Sequence, residues 1–544
     1  MNGIRDLEIK QDNLLYKLIF LSVISGIVAF CFYPIYQIIR TSFIDNGEFT
    51  LKFYHGIFKD NYQLLFNSLK TSFFSALITS ILGSFIAFYM IFSGKIIKKF
   101  YYYLLMLSMI SPPFIFGISY IMLFGRRGLI TYKILGLHMN PYGLHGIVML
   151  QILGEVSFAA FMLYEIFKNV DYSLIAASRS LGATPWETVK RVILPLSVSP
   201  FVGVFFIIFT KSLADFGSAI IIGGRESTLA TEAYLTVIGE GNMQKAAAMT
   251  LLLIIPALIA FLLYRKILLK NSTFFSENKK NGLGDNSFEI PFLLKLVLGM
   301  AAWLFVVIVL LQYGTILFSG FYNSTSHGIE FTLEYLEKFK MSGIKVFVRT
   351  IIYAFIAGFF SAIIGILIAY YNRDMKGKFI KVVEFFATLP YIIPGTFFGL
   401  GYILAFHSGW LVLTGTAAIV ILNCLFRQVS IGIKTGDAIL EKINPNIEKA
   451  ARDLGAGKMN IFIDIILPAL KPAFLISFIN CFIATMTTIG AVIFLISPGA
   501  NVATVLLFNY VAQGEYGVAS IVAIAITLIT FTLNVIVSKA AKRI

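Results

Sequence analysis

Apolar stretches of about 20 residues, the length that carries an α-helix across a hydrocarbon core, recur along the whole chain. They fall at roughly 18–39, 68–92, 102–124, 146–167, 199–223 and 246–269, and again at 291–318, 349–371, 382–407, 410–433, 472–496 and 519–538. Backbone polar groups in lipid must be satisfied within the segment, so stretches of this length form helices. The expected fold is therefore all-α, a polytopic membrane protein with about twelve transmembrane helices. Composition agrees: 58% of the residues are hydrophobic and only 13% charged, which excludes a soluble enzyme, a disordered chain and a fibrous repeat. The net charge of +16 needs no nucleic-acid partner, because cytoplasmic loops collect Lys and Arg. The stretch 18–39 is too long for a signal-peptide core and is expected to stay as the first span.

Most of the 44 Lys and Arg cluster in alternate loops, among them Lys95, Lys98, Lys99, Lys190, Arg191, Lys279, Lys280, the segment 373–381 and the segment 539–543. With the N-terminus inside, these loops are cytoplasmic, and both termini are expected there. The polar, glycine-containing segment 270–290 fits a cytoplasmic linker. The five histidines (His55, His138, His145, His327 and His407) fall outside with no metal-ligand spacing, and Cys31, Cys424 and Cys481 lie singly in apolar runs. No metal site is expected.

The chain is written twice. Gly83–Tyr89 (GSFIAFY) aligns with Gly365–Tyr371 (GILIAYY) at an offset of 282, which also carries Pro112, Gly117 and Tyr120 onto Pro394, Gly399 and Tyr402. Further on, an offset of 273 carries Leu181-Gly182-Ala183 onto Leu454-Gly455-Ala456, Leu194-Pro195 onto Leu467-Pro468, and Gly217 onto Gly490. Constant offsets over such a length indicate duplication. Six spans per half make the two halves parallel, with the pathway expected along their shared axis. The domain division expected is 1–66 (first helix and external loop), 67–269 (first half), 270–290 (linker), 291–346 (seventh helix and external loop) and 347–544 (second half).

Two long cytoplasmic loops occupy matching places. Ala176-Ala177 leads through Gly182 to Leu194-Pro195, and Lys449-Ala450-Ala451 leads through Gly455 to Leu467-Pro468. Small residues allow close packing, Gly permits a sharp turn, and Pro is expected to end the segment before the next span. The result is a helix–turn–helix suited to docking on another protein. This resembles the signature loop of permease subunits in ATP-driven, binding-protein-dependent importers: Glu-Ala-Ala, three residues, Gly, nine residues, Ile, one residue, Leu, Pro. Ala176 and Lys449 stand where that family has Glu. The resemblance covers nearly the whole chain. It implies a non-enzymatic transport subunit of the bacterial cytoplasmic membrane that docks two copies of an ATPase through these loops and receives solute from an external binding protein. No G-x-x-x-x-G-K-[ST] loop occurs in the sequence. This chain is therefore expected to bind no cofactor, with ATP and Mg held by the separate ATPase.

Ionisable residues inside spans mark pathway candidates. Lys211 and Asp215, four apart, are expected to pair, either to orient their helix or to line the pathway. Glu155 and Arg427 either face each other across the pseudo-axis or brace the bundle. Thr485, Thr487 and Thr488 either line a polar passage or bond back to their own helix. Leu213–Ser218 (LADFGS) and Thr488–Pro498 (TIGAVIFLISP) look like segments of ferric-iron importer permeases. The resemblance implies ferric iron as solute, with phosphonate, thiamine, polyamine and sulfate importers as alternatives. An ion-driven secondary transporter also has two parallel halves but needs no such loops.

Overall fold

The computed structural model describes residues 2–45, 47–138, 140–271, 290–325, 328–375, 377–409 and 411–543. Of the expected linker, residues 272–289 with Lys279 and Lys280 lie outside the described residues, as do His327 and Trp410. Among the described residues, ten helices are long and apolar enough to cross a membrane, and two bent pairs raise the number to twelve. The chain is an all-α polytopic membrane protein in two repeated halves.

Four of the expected spans are broken, and prolines explain two of them. The stretch 102–124 divides into Lys95–Ile110 and Phe114–Phe124 around Pro112 and Pro113, with Ser111 extended (φ −69°, ψ 146°). The stretch 382–407 divides into Lys378–Ile392 and Gly395–Phe406, which meet at 113°. Proline lacks an N–H and pushes the residue before it out of the helical region, and Ile393 is accordingly extended (φ −73°, ψ 152°). The other two breaks follow Leu213 and Thr487, where long helices give way to turns. Irregular backbone at membrane depth is tolerated only when protein covers it. Phe397, Phe398, Leu400, Tyr402 and Ala491 are fully buried, as that requires.

Small residues set the tightest helix crossing of each half. A Cβ added to Gly83 would lie 2.8 Å from Ala159 Cβ, and one added to Gly365 would lie 2.6 Å from Gly432 Cα. These are equivalent crossings under the two offsets, between Tyr62–Ile91 and Leu144–Phe167 and between Ile344–Asp374 and Ala417–Leu440. Lipid supplies no hydrophobic drive between helices, so close backbone approach and dispersion hold such pairs together.

The chain forms two compact units, residues 1–49 with 342–506 and 528–544, and residues 50–341 with 507–527. Each unit joins the core of one half to the leading helix of the other. In the first unit Leu14–Phe43 lies on second-half helices: Tyr402 Oη donates to the Phe30 carbonyl (2.9 Å) and Tyr371 Oη to that of Tyr16 (3.2 Å). In the second unit Phe292–Phe321 lies on first-half helices, where Trp303 Nε1 donates to Tyr89 Oη (3.1 Å) and Tyr313 Oη to the Leu107 carbonyl (3.3 Å).

The repeat also includes the segments that follow the two leading helices. Each leading helix is followed by a short antiparallel hairpin, Ile44–Asp45 with Glu48–Phe49 and Tyr322–Thr325 with Gly328–Phe331. Each hairpin runs into the same Glu-Phe-Thr-Leu, residues 48–51 and 330–333, again at an offset of 282. The threonines start the next helix alike: Thr50 Oγ1 accepts the Lys52 N–H and Thr332 Oγ1 the Glu334 N–H, both at 3.1 Å.

Candidate coupling loops and intramembrane polar groups

In the first loop, Asp171 caps the helix Tyr172–Ser180 by accepting the Ser173 N–H at 2.9 Å. The helix ends in a paired closure, Gly182 N–H to the Arg179 carbonyl (3.0 Å) and Ala183 N–H to that of Ser178 (3.2 Å). Gly182 takes φ +84°, a left-handed conformation that a side chain disfavours. Thr184 and Glu187 then form a reciprocal capping box, and Pro185 opens the next helix at a position where no N–H is needed. The second loop repeats this closure. Asn444 caps Pro445–Asp453, Gly455 N–H bonds the Arg452 carbonyl (2.8 Å), Ala456 N–H bonds that of Ala451 (3.0 Å), and Gly455 takes φ +86°.

The Leu-Pro pair of the first loop does not stop its helix as the sequence suggested, whereas in the second loop the helix ends at Ala469, one residue past Pro468. Pro195 lies in an unbroken helical run from Pro185 to Leu213. Proline in a helix clashes with the carbonyl four residues back. Here a wide π turn over Val189–Ile193 precedes it, with Leu194 N–H reaching the Val189 carbonyl, and the widened turn makes room for the ring. Pro468 follows the same kind of turn at Phe462–Ile466, and the helix bends by 70° only beyond Ala469.

The loops differ in how they are anchored. Ile175, fully buried, fastens the first within a cluster of Phe167, Val170, Val189 and Ile193. At the position equivalent to Ile175 the second loop has Glu448, which turns inward to Arg373 at 2.7 Å. One residue on, Asp374 has a side chain only 5% exposed and holds Arg452 (3.0 Å) and Lys458 (2.7 Å), while Tyr16 Oη donates to it at 2.8 Å. The acid nearest the family's Glu position in that loop is thus engaged within the chain. Both loops carry a strongly exposed leucine just before the glycine, Leu181 at 88% and Leu454 at 80%, on a surface that also exposes Ala177, Arg179, Lys449, Ala450, Arg452, Leu194, Pro195, Leu467 and Pro468. Ala176, Ala451 and Gly455 are half-buried beneath them.

One of the expected pairings inside the membrane is corrected. Lys211 does not pair with Asp215. The helix ends at Leu213, so the two no longer stand one turn apart, and Lys211 Nζ instead meets Glu155 Oε2 at 2.5 Å and lies over the Phe158 ring at 4.2 Å. Asp215 accepts the Ser218 N–H (3.1 Å) and Gln151 Nε2 (3.2 Å). In the second half Arg427 Nη1 donates to Thr488 Oγ1 at 3.2 Å. Thr485 and Thr487 bond back to the carbonyls of Cys481 and Ile483, both at 2.8 Å. Thr488 escapes that pattern because the helix has ended. Sequence spacing missed Asp374 and Tyr16 because their partners are 78 to 358 residues away.

A duplicated bundle of membrane helices bearing a matched pair of helix–glycine–helix loops is the architecture of an importer permease. The family of binding-protein-dependent transport system inner membrane components matches residues 79–270 and again 361–544, and the chain belongs to that family. A ferric transport system permease protein of Actinobacillus pleuropneumoniae is 30% identical over 525 residues, covering 92% of this chain and 74% of that protein. A putative ferric transport system permease protein of Haemophilus influenzae is 30% identical over 523 residues, 91% of this chain and 80% of its own length. A sulfate transport system permease protein of Escherichia coli is 25% identical over 212 residues, 36% of this chain and 76% of its length. The chain is a multi-pass inner-membrane transport permease of the ATP-binding-cassette importer class.

Proposed function

We propose that this permease forms the translocation pathway of a ferric-iron importer, receives solute from an external binding protein and is driven by two copies of a separate ATPase. The observation that carries the reading is the pair of loops around Gly182 and Gly455, which share one backbone design and present apolar surface at Leu181 and Leu454. Each loop docks one ATPase subunit through Ala176, Ala177, Gly182, Leu194 and Pro195 or through Lys449, Ala450, Ala451, Gly455, Leu467 and Pro468. The loops and both termini face the cytoplasm in this reading. ATP and Mg bind the ATPase, since the sequence has no phosphate loop. Lys211, Asp215, Glu155, Arg427 and Thr488 are the polar groups nearest a pathway role.

Similarity over 92% of the chain to a ferric transport permease supports iron as solute. The shorter similarity to a sulfate permease makes an oxyanion the second reading. Reconstituting the chain in liposomes with the ATPase and binding protein of a ferric-iron importer, then measuring ATP-dependent uptake of radiolabelled iron and sulfate, tests both. Iron uptake that stops without ATP is expected. Uptake independent of ATP, or of sulfate alone, would overturn the respective half of the reading.

A further inference from the structure

The two halves differ in charge where their long helices Pro185–Leu213 and Lys471–Thr487 give way to turns. In the first half the carboxylate of Asp215 fills that turn, accepting the Ser218 N–H at 3.1 Å. The 273 offset places Thr488 and Ala491 at the same two positions of the second half, so the acid is replaced by a neutral hydroxyl. At the same place a cation is added. Arg427, equivalent to Gly154, sends Nη1 to Thr488 Oγ1 at 3.2 Å, and among the described residues no Asp or Glu lies within ion-pair distance of its guanidinium. Its Nε is buried and has no partner.

The Ala491 backbone nitrogen lies close by. A Cβ added to Gly395 would lie 3.0 Å from Arg427 Nη2 and 3.1 Å from the backbone nitrogen of Ala491, so the missing side chain lets both groups approach the backbone there. Gly395 is the first residue of a 12-residue helix, whose N-terminal end carries partial positive charge. The next residue, Thr396, has a buried hydroxyl without a partner. An unpaired guanidinium at membrane depth is costly, and orphaned buried donors around it call for an acceptor.

We propose that Arg427, the Ala491 backbone N–H and the first turn of Gly395–Phe406 form a binding site for an oxyanion, either a free oxoanion or a carboxylate of a metal chelate. The first half carries its own carboxylate at the equivalent place; the second half takes one from outside. The crevice beside the guanidinium, lined by Cys424, Gln428, Thr485 and Thr488 among others, is too narrow for a water molecule in this conformation. Binding therefore selects an arrangement in which the break before Gly395 is wider.

Thermal unfolding of the purified full chain in lipid nanodiscs, titrated with sodium sulfate, phosphate or citrate against sodium chloride at matched ionic strength, tests the site. A saturable upward shift is expected with at least one oxyanion. Sulfate or phosphate acting indicates a free oxoanion, and citrate acting alone indicates a chelate carboxylate. Arg427→Gln should abolish the shift and Arg427→Lys weaken binding about tenfold, because Lys cannot present a planar fork. Should Arg427→Gln fail to fold, Gly395→Ala keeps the guanidinium but presses a methyl group between it and the Ala491 nitrogen, and should also weaken binding about tenfold. A flat response of the native chain to all three anions, or an unaltered response in the variants, would overturn the site. The measurement needs neither ATPase nor binding protein, so it stands or falls separately from the ferric-iron reading.

Discussion

Gly182 and Gly455 have nothing within 4 Å of the position a Cβ would take, so a substitution there meets no neighbour. Its cost is the left-handed backbone alone, about 1–2 kcal/mol for a non-glycine residue and more for a β-branched one. Gly182→Val and Gly455→Val should therefore leave insertion and abundance normal while loosening the loop. Co-purification of the ATPase should fall several-fold in either variant; full retention in both would reduce these loops to plain connectors. The Lys211–Glu155 pair can also be tested. Its side chains are 43% and 23% exposed, and within a membrane span each charge relies on the other for neutralisation. A double-mutant cycle of Lys211→Gln with Glu155→Gln should give a coupling of about 0.5–3 kcal/mol, and the cycle of Lys211→Gln with Asp215→Asn should give none. Strong Lys211–Asp215 coupling would contradict the observed helix end at Leu213.

The two helix–glycine–helix loops share their turn but not their fastening, and this predicts unequal behaviour. Asp374→Asn removes the acid that Arg452 and Lys458 share and that Tyr16 bonds. Both cations are partly exposed and regain water, so the loss is about 1–2 kcal/mol rather than the full cost of stranded charges. Amide hydrogen exchange over residues 445–461 should then quicken roughly tenfold while residues 172–188 stay unchanged. Ile175→Ala should do the reverse: it opens a cavity in an apolar cluster at about 2–4 kcal/mol, freeing the first loop and sparing the second. Equal responses of both loops to either change would show that these anchors do not act locally. The turn itself was legible in the sequence, since a Gly after an Ala-rich helical segment admits few other conformations. The anchors were not. Glu448 reads as a surface acid until the fold brings Arg373 to it, 75 residues upstream.

Each compact unit combines the core of one half with the leading helix of the other. Neither half expressed alone can then complete its packing. Without Leu14–Phe43 the hydroxyls of Tyr371 and Tyr402 lose their bonds to the carbonyls of Tyr16 and Phe30. Residues 290–544 produced alone should be protease-sensitive across 344–406, and co-expression with residues 1–271 should restore resistance and uptake. Resistance of the isolated second half would show that the exchanged helix adds little.

The sequence by itself determined the class of structure. Runs of about 20 apolar residues have one stable form in lipid, and constant offsets of 282 and 273 declared two like halves. Both are local properties of the chain. The breaks at Pro112, Pro113 and Pro394 lay outside that reading, which took 102–124 and 382–407 as single spans. Tertiary structure alone decided the pairing of charges. Lys211 stands four residues from Asp215, yet the end of its helix handed it to Glu155, 56 residues away. Arg427 was left facing Thr488 and the backbone at Gly395. A side chain's partner depends on where helices stop and cross, and those points are set by packing between segments far apart in the chain.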